Sequence, residues 1–503
     1  MSVYIIGIGG TGARCIESII HLAASGLYNR QETIYLLFID ADETNGNLLR
    51  TRQSLDYYKK CYDLQLADEK YEWMQTPIED FGLWSPFQGN RSKDKKLETY
   101  FEYNNLKDDD PALGNLFDVL YTKSERKAEL DVGFRGRPAI GAAVMSQVDL
   151  DSLDEQPWKD FISKIEDEAG GGQTPNIFLC GSIFGGTGAS GLPTLGRLIH
   201  NKLQKGKQVR DTVKLGCLYM LPYFRFTAEP GKDEEVYARS EQFLLNTEAA
   251  LRYYGSQYQN TFDAVYLLGN QNFSPVNFSL GKNTQCNDPH FIEFYAAIAA
   301  QQFISETPTG RGNVVLISRE QLNKLTWDDL PQRDRIKSQL VNTTRFAYSW
   351  LANINRELAY AKEIGVNKFQ NLAPWFLKFY RSSSNREILG RNRKNDADFN
   401  DSQQQEAIAI INRWCRDYLR WLGQLHQSPE TIQLFQSNYF ANPDDNLNIE
   451  NLSDLVLQDH RDQSQKARDT VQRLKERLNP KAIAVPNQGT VGLAKALYLA
   501  CKL

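Results

Sequence analysis

The 503-residue chain has no run of 18 consecutive apolar residues, so nothing in it predicts a membrane-spanning helix. It has little histidine. The five residues are dispersed, which argues against histidine-rich metal chemistry. Its seven cysteines (15, 61, 180, 217, 286, 415 and 501) form no C-x-x-C pair. That scatter predicts reduced, mostly buried thiols, not a disulfide framework or a zinc site. Positive charge is not in excess either. A net charge of −4 gives no general pull toward nucleic acid or an anionic membrane. The first residues, Met1-Ser2-Val3-Tyr4-Ile5-Ile6, lack the basic region of a signal peptide, and the expectation is a cytoplasmic protein.

What is present in quantity is glycine, and in two places it is patterned. The apolar run Asn176-Ile177-Phe178-Leu179-Cys180 leads into Gly181-Ser182-Ile183-Phe184-Gly185-Gly186-Thr187-Gly188-Ala189-Ser190-Gly191. A helix-like segment, Leu192–Ile199, follows. The order reads strand, glycine loop, helix. Such a loop exposes backbone N–H groups at a helix N-terminus, where they hold phosphate oxygens. A second loop of the kind, Gly7-Ile8-Gly9-Gly10-Thr11-Gly12, stands at the start of the chain. Either loop alone could be a tight turn; two in one sheet point to phosphate.

Around these loops the chain alternates. Residues 3–8, 34–39, 176–180, 213–221 and 264–268 read as buried strands. Residues 13–24, 139–148, 234–254 and 291–304 have helical spacing, the last apolar all round and so buried. Residues 50 to about 130 are polar and read as a helical or irregular insertion. Residues 314–318 suggest one extra strand. Beyond about 330 the pattern is helical, over 335–364, 404–427 and 452–478, with polar loops at 382–403 and 441–450. Trp414, Tyr418, Trp421 and Leu422 form an aromatic stripe that reads as core. The predicted fold class is α/β, an open parallel sheet with helices on both faces. The nucleotide-binding domain is expected over 1–310, with its central helix at about 291–304, and a mainly helical region over 311–503.

The order of motifs resembles the tubulin and FtsZ superfamily of GTP-binding proteins, in its divergent bacterial tubulin-like branch. Gly185-Gly186-Thr187-Gly188 matches the family signature loop, with Ala189 opening its helix. Gly9-Gly10-Thr11-Gly12, with Arg14, matches the first loop. Asp40-Ala41-Asp42 matches the second and Gly133-Phe134-Arg135-Gly136-Arg137-Pro138 the third. The resemblance implies GTP or GDP as ligand, with Mg²⁺ oriented by Asp42 through water. Glu229 and Glu235 fall where the family binds ribose. Asn270 falls where it reads guanine, and Phe291 or Phe294 where an aromatic stacks on the base. Glu293, unusual in an apolar helix, is a further candidate for base or ribose. Asp328 and Asp329 are the acidic candidates for a catalytic loop supplied by the next subunit. Each also has a plainer reading: Asp42 as a helix cap, Asn270 as a turn residue, the two aspartates as a cap or a solvated pair.

The resemblance therefore implies a GTPase that assembles head-to-tail into filaments and hydrolyses GTP at the subunit interface. It leaves the C-terminal helical region to bind a protein partner. Two other readings stand beside it. One is a non-hydrolysing nucleotide-binding scaffold. The other is a Rossmann-type NAD-dependent enzyme, because Gly7, Gly9 and Gly12 fit G-x-G-x-x-G and Asp40 ends the second strand.

Overall fold

The computed structural model describes residues 2–503 except 65–70, 89–94, 135, 152–154, 206–208, 228–239, 256–260, 278, 280, 307–309, 319–323, 381–396, 428–431, 441–448 and 479–487. Its strands are β1 (Ser2–Ile8), β2 (Thr33–Ile39), β3 (Ile78–Trp84), β4 (Asn176–Ser182), β5 (Lys214–Met220), β6 (Phe224–Thr227), β7 (Ala264–Leu268), β8 (Ser274–Asn277) and β9 (Asn313–Ile317). Seven of them form one sheet in the order β3-β2-β1-β4-β5-β7-β9, parallel throughout. The remaining two, β6 and β8, pair as a small parallel ribbon.

The connecting helices are α1 (Gly9–Ala24), α2 (Gly46–Asp63), α3 (Tyr103–Asp109), α4 (Pro111–Leu120), α5 (Pro138–Ser146), α6 (Trp158–Gly170), α7 (Gly186–Lys205), α8 (Ser240–Gly255) and α9 (Phe291–Ser305). After β9 come α10 (Arg333–Ser349), α11 (Asn355–Ile364), α12 (Ser402–Leu425) and α13 (Gly489–Cys501), with a five-residue π-helical segment, Trp350–Ile354, joining α10 to α11. The α/β class and the helical C-terminal region are as the sequence predicts.

Side chains alternate across the sheet, as strand geometry requires. Val3, Ile5, Leu36 and Phe38 face one core, shared with α1, α2, α9 and the C-terminal helices. Tyr4, Ile6, Ile8, Leu37 and Ile39 face a second, closed by α5, α6 and α7. The two cores sandwich strands that are almost wholly buried, which is why β1, β2 and β4 read as continuous apolar runs.

Two expectations are corrected and a third holds. The segment after residue 50 is not merely an insertion: it holds β3, the edge strand, whose Ile-Glu-Asp-Phe-Gly-Leu-Trp sequence is half-exposed and carries two acids. Residues 452–478 are not a continuous helix but short turns at Leu452–Leu455, Gln463–Lys466 and Val471–Arg477. Asn451 and Thr470 cap two of these turns with their side chains, so each starts afresh. The extra strand near 314–318 is real, as β9, and extends the main sheet. The expected loops at 382–403 and 441–450 fall largely outside the described residues. No helix among the described residues is long and apolar enough to cross a membrane.

Candidate functional site

The strand order turns back at β1 and β4. The chain leaves β1 toward β2 and leaves β4 toward β5, in opposite directions across the sheet. Between the carboxyl ends of those two strands a crevice opens, the usual ligand position in a doubly wound sheet. Both glycine loops end there. β1 runs directly into α1 at Gly9, and β4 runs through Ser182–Gly185 into α7 at Gly186. Two helix N-termini of 16 and 20 residues thus face one space. Neither has an acidic residue in its first turn, so no carboxylate of their own occupies the free N–H groups.

The backbone explains why glycine is used. Gly9 has φ +71°, in the left-handed region, and lies against Thr187 of the opposite loop. At Gly188 a Cβ would stand 2.3 Å from the Ser182 carbonyl oxygen, so only glycine lets α7 start this close to β4. Around the crevice stand Gly9, Gly10, Thr11, Arg14, Asp40, Asp42, Gly136, Gly185, Gly186, Thr187 and Gly188, all expected from sequence. Gly12 and Ala189 are buried just inside the two helices and do not line it; the Ala189 carbonyl accepts from the Tyr254 hydroxyl. Arg135, Glu229 and Glu235 lie outside the described residues.

The two aspartates differ. Asp42 is fully engaged: Oδ1 accepts from the Thr44 N–H (3.1 Å) and hydroxyl (2.9 Å), and Oδ2 from the Lys282 N–H (2.6 Å). It ties the 281–287 segment to the crevice. Asp40 Oδ1 accepts from the Asp42 N–H (3.2 Å) and the Thr187 hydroxyl (3.4 Å), while Oδ2 is buried without a partner. Burial pushes the Asp40 carboxyl up from 3.8 to about 7, against the hydrogen bonds it accepts from the Asp42 N–H and the Thr187 hydroxyl. A buried oxygen with nothing to accept from, beside the Thr187 hydroxyl, fits a hard cation better than Asp42 does. Mg²⁺ takes oxygen ligands and is held by one or two carboxylates plus substrate phosphates. If a cation is held here, Asp40 and Thr187 would be its protein groups, and it would neutralise phosphate charge. Among the described residues no cluster of three metal-ligating side chains exists.

Arg14 closes the floor. Its Nε donates to Glu293 Oε1 (2.5 Å) and its Nη2 to the Tyr223 hydroxyl (2.8 Å) and Thr11 Oγ1 (3.5 Å). Tyr223 donates to the same Glu293 oxygen (2.5 Å). Burial opposes the charge on Arg14, but Glu293 outweighs it and holds the guanidinium more firmly protonated than usual. Glu293 also accepts from the His290 N–H through Oε2 (2.8 Å), capping α9. Its carboxylate is therefore spent on Arg14 and the helix end, not on a base or ribose.

Sequence reading missed the aromatic wall. Phe184, Phe224, Phe226 and Phe243 line one side of the crevice, with Phe184 and Phe243 ring centroids 4.9 Å apart. It missed Asn45, which caps α2 and donates to Gln285 (3.1 Å) across the opposite rim. An Asn-Gly pair just after Asp42 was the available signal for that cap; the phenylalanines give none, since they come from β6, α8 and the loop after β4 and meet only in the fold.

The remaining candidates lie elsewhere. Asn270, Phe291 and Asp329 line a separate apolar cleft of 820 Å³. Asn270 donates to the Asn272 carbonyl (2.7 Å). Asp329 accepts from the Thr326 N–H (2.6 Å) and hydroxyl (3.0 Å) in a short capped turn, and Asp328 pairs with Arg333 (2.8 Å) on the surface. Phe294 is buried against Trp421 and lines neither space.

Fold and crevice together define a doubly wound α/β protein in which two glycine-loop helix N-termini face one crevice. No protein-family model matches the chain, and no curated protein matches it in sequence. Among solved structures it is similar to CetZ from Methanosaeta thermophila strain DSM 6194, at 14% identity and a TM-score of 0.25, over 61% of this chain and 53% of that one. It is similar also to CetZ2 from Haloferax volcanii, a GTPγS-bound protofilament, at 14% identity and a TM-score of 0.28, over 60% of this chain and 59% of that one. The match thus spans little more than half of each of those chains.

Proposed function

We propose that this protein binds a nucleoside triphosphate in the crevice, with its phosphates against the N-termini of α1 and α7. The observation that carries the reading is the convergence of two glycine loops on one buried, unpartnered Asp40 oxygen. Backbone N–H groups supply phosphate donors, Arg14 supplies a cation at the floor, and Asp40 waits for a metal ion. The motif resemblance to the tubulin and FtsZ superfamily makes GTP the preferred nucleotide and head-to-tail self-assembly with GTP hydrolysis the activity. In that reading Asp328 or Asp329 would act on a neighbouring subunit's nucleotide. Asn270 and Phe291 line the separate cleft and not the crevice, so in this reading the base would rest on Phe224 and Phe226.

One observation favours a second reading. Asp40 ends β2 beside the Gly7, Gly9 and Gly12 turn, where a dinucleotide enzyme holds its ribose. Calorimetric titration with GTP, ATP and NAD, each with and without Mg²⁺, separates the two. The proposal expects Mg²⁺-dependent triphosphate binding, weakened at least about tenfold in Thr187→Val by loss of one charge-assisted bond. NAD binding without Mg²⁺ dependence would replace it with the dinucleotide reading. Sedimentation of the same samples with GTP tests assembly, and phosphate release tests hydrolysis.

A further inference from the structure

The crevice encloses 140 Å³. Sites that bury a small ligand run to about 300–1,000 Å³. A nucleoside triphosphate fills this one only if a wall gives way, and the walls are not equally firm. Most of those described are rooted in a core. The glycine loops continue into α1 and α7, whose Ile16 and Leu192 are fully buried. Phe134, Phe224 and Phe243 belong to the two apolar cores.

Residues 281–288 are the exception. They lead from the β8 side to α9 and supply Gly281, Gln285 and Asn287 to the crevice. Gly281-Lys282-Asn283-Thr284-Gln285-Cys286-Asn287-Asp288 has no large apolar side chain to bury. Lys282, Asn283, Thr284, Cys286 and Asp288 are exposed. A row of polar bonds holds this strap across the start of α2. The Lys282 N–H donates to Asp42 Oδ2 (2.6 Å), and its ammonium pairs with Asp131 (3.3 Å). The Asn47 N–H donates to the Gln285 carbonyl (3.1 Å), and the Asn45 amide to the Gln285 side chain (3.1 Å). The Asn287 N–H donates to Asn47 Oδ1 (2.8 Å), and Arg50 to the Asn287 carbonyl (2.7 Å). At the far end Gln424 of α12 donates to Asp288 (2.7 Å).

Water can replace each of these partners at an exposed strap, so releasing it is a local event that leaves both cores intact. Its first residues are also strained. Gly281 has φ +111° and Lys282 φ +58°, and lysine is not a residue that the left-handed region favours. The strap lies tightly on Gly46. A Cβ there would stand 2.5 Å from the Asn283 carbonyl oxygen and 3.0 Å from the Cβ of Cys286.

We propose that the strap is a latch that senses occupancy: nucleotide filling the crevice lifts residues 281–288 from the start of α2 and breaks the Lys282–Asp42 bond. The inference rests on the nucleotide reading and adds its moving part. A seated strap and a filled crevice exclude each other, so the ligand favours the lifted state by its difference in affinity for the two.

Gly46 lies outside the crevice and gives two variants of opposite expected sign. Gly46→Ala presses a Cβ on the Asn283 carbonyl and pries the strap up. It should bind Mg²⁺–GTP about fivefold more tightly than wild type in calorimetric titration, as the loss of one strap bond implies. Gly46→Cys faces the native Cys286, and a disulfide sets two Cβ atoms about 3.8 Å apart, a small relaxation from this geometry. Oxidised glutathione closes that disulfide, which mass spectrometry confirms. The stapled protein should bind Mg²⁺–GTP at least about tenfold more weakly than the same protein after dithiothreitol. Hydrogen exchange on wild type needs no variant. GTP should speed exchange over 281–288 while slowing it over 9–12 and 186–188. Equal GTP affinity in wild type, stapled and pried protein, or slower exchange over 281–288 with GTP, would overturn the latch and leave the nucleotide reading standing. No binding to any form, with near-ultraviolet circular dichroism showing all of them folded, would remove the nucleotide reading and the latch with it.

Discussion

A carboxyl that is 4% exposed and has one oxygen without a donor pays for its charge in full, and Asp40 is that group. Its pKa of about 7 in the fold, against 3.8 for an ordinary aspartate, fixes a sign. Between those values the folded protein holds a proton that the unfolded chain has released. Asp40 therefore lowers stability as pH rises from about 4 to about 7, by up to about 4 kcal/mol. Asp40→Asn should flatten that part of the stability–pH profile, read by urea unfolding at pH 5.5 and 7.5. Affinity for Mg²⁺-nucleotide should do the reverse in wild type, rising through pH 7 as the carboxylate forms, and should lose that rise in Asp40→Asn. A flat affinity profile in wild type would remove Asp40 from the metal's surroundings. Arg14 and Glu293 make the matching structural case. Glu293→Ala leaves the guanidinium buried and uncompensated, which costs about 3–5 kcal/mol on chemical unfolding.

At the scale of elements, α1 is held from two sides. Its start faces the crevice; its middle carries Glu17, fully buried, which takes a bidentate pair from Arg50 of α2 and a bond from Arg420 of α12 (3.0 Å). Burial alone would raise the Glu17 pKa, but Arg50 and Arg420 bring it to about 2. The stabilisation is therefore present above the ordinary glutamate range and is lost only as pH falls toward 2. Beside it His21 is stacked on Trp421 and pushed by burial to about 4, so it is neutral at pH 7. Glu17→Ala should cost about 3–5 kcal/mol and loosen α12 first, which hydrogen exchange along 402–425 would show as lost protection. Unchanged protection there would mean that apolar packing alone holds α12.

What was legible in the sequence follows the same division. The glycine loops were readable because strand, turn and helix start are consecutive and each needs a particular backbone. So was α9, apolar on every side. Strand β3 was not, because an edge strand with Glu79 and Asp80 has no buried run to display. Nor were the uses of Glu17 and Glu293, whose partners lie 403 and 279 residues away. Asp40 and Asp42 were readable as a pair. Which of them keeps a free oxygen depends on Lys282, 240 residues beyond Asp42.

The molecule as a whole has a single core on the α1 side of its sheet. One continuous apolar cluster joins Val3 and Ile5 of β1, through α1 and α9, to Trp350, Trp414, Tyr418 and Cys501. Trp73, between α2 and β3, packs against Phe346, Trp414 and Tyr498, all from the C-terminal region. The Arg345–Asp469 pair (2.7 Å) is buried within that region, and Arg345 also donates to the Cys501 carbonyl (2.8 Å) near the last turn. The helices past β9 are therefore one wall of the half that carries the crevice, not an appendage to it. Cutting the chain near 310 would remove β9 and strip that wall from α1, α2 and α9 together. At about 25 cal/mol for each Å² of apolar surface re-exposed, even 1,000 Å² would cost about 25 kcal/mol, more than a domain's whole stability. A 1–310 fragment should accordingly be insoluble, or soluble only as an expanded state that binds hydrophobic dye and lacks near-ultraviolet circular dichroism. It should also bind no nucleotide, although it contains every residue around the crevice. The full chain should unfold in urea with tryptophan fluorescence and nucleotide release coinciding. A fragment that folds and binds would show instead that the crevice half carries its own stability and that the C-terminal helices are an added layer.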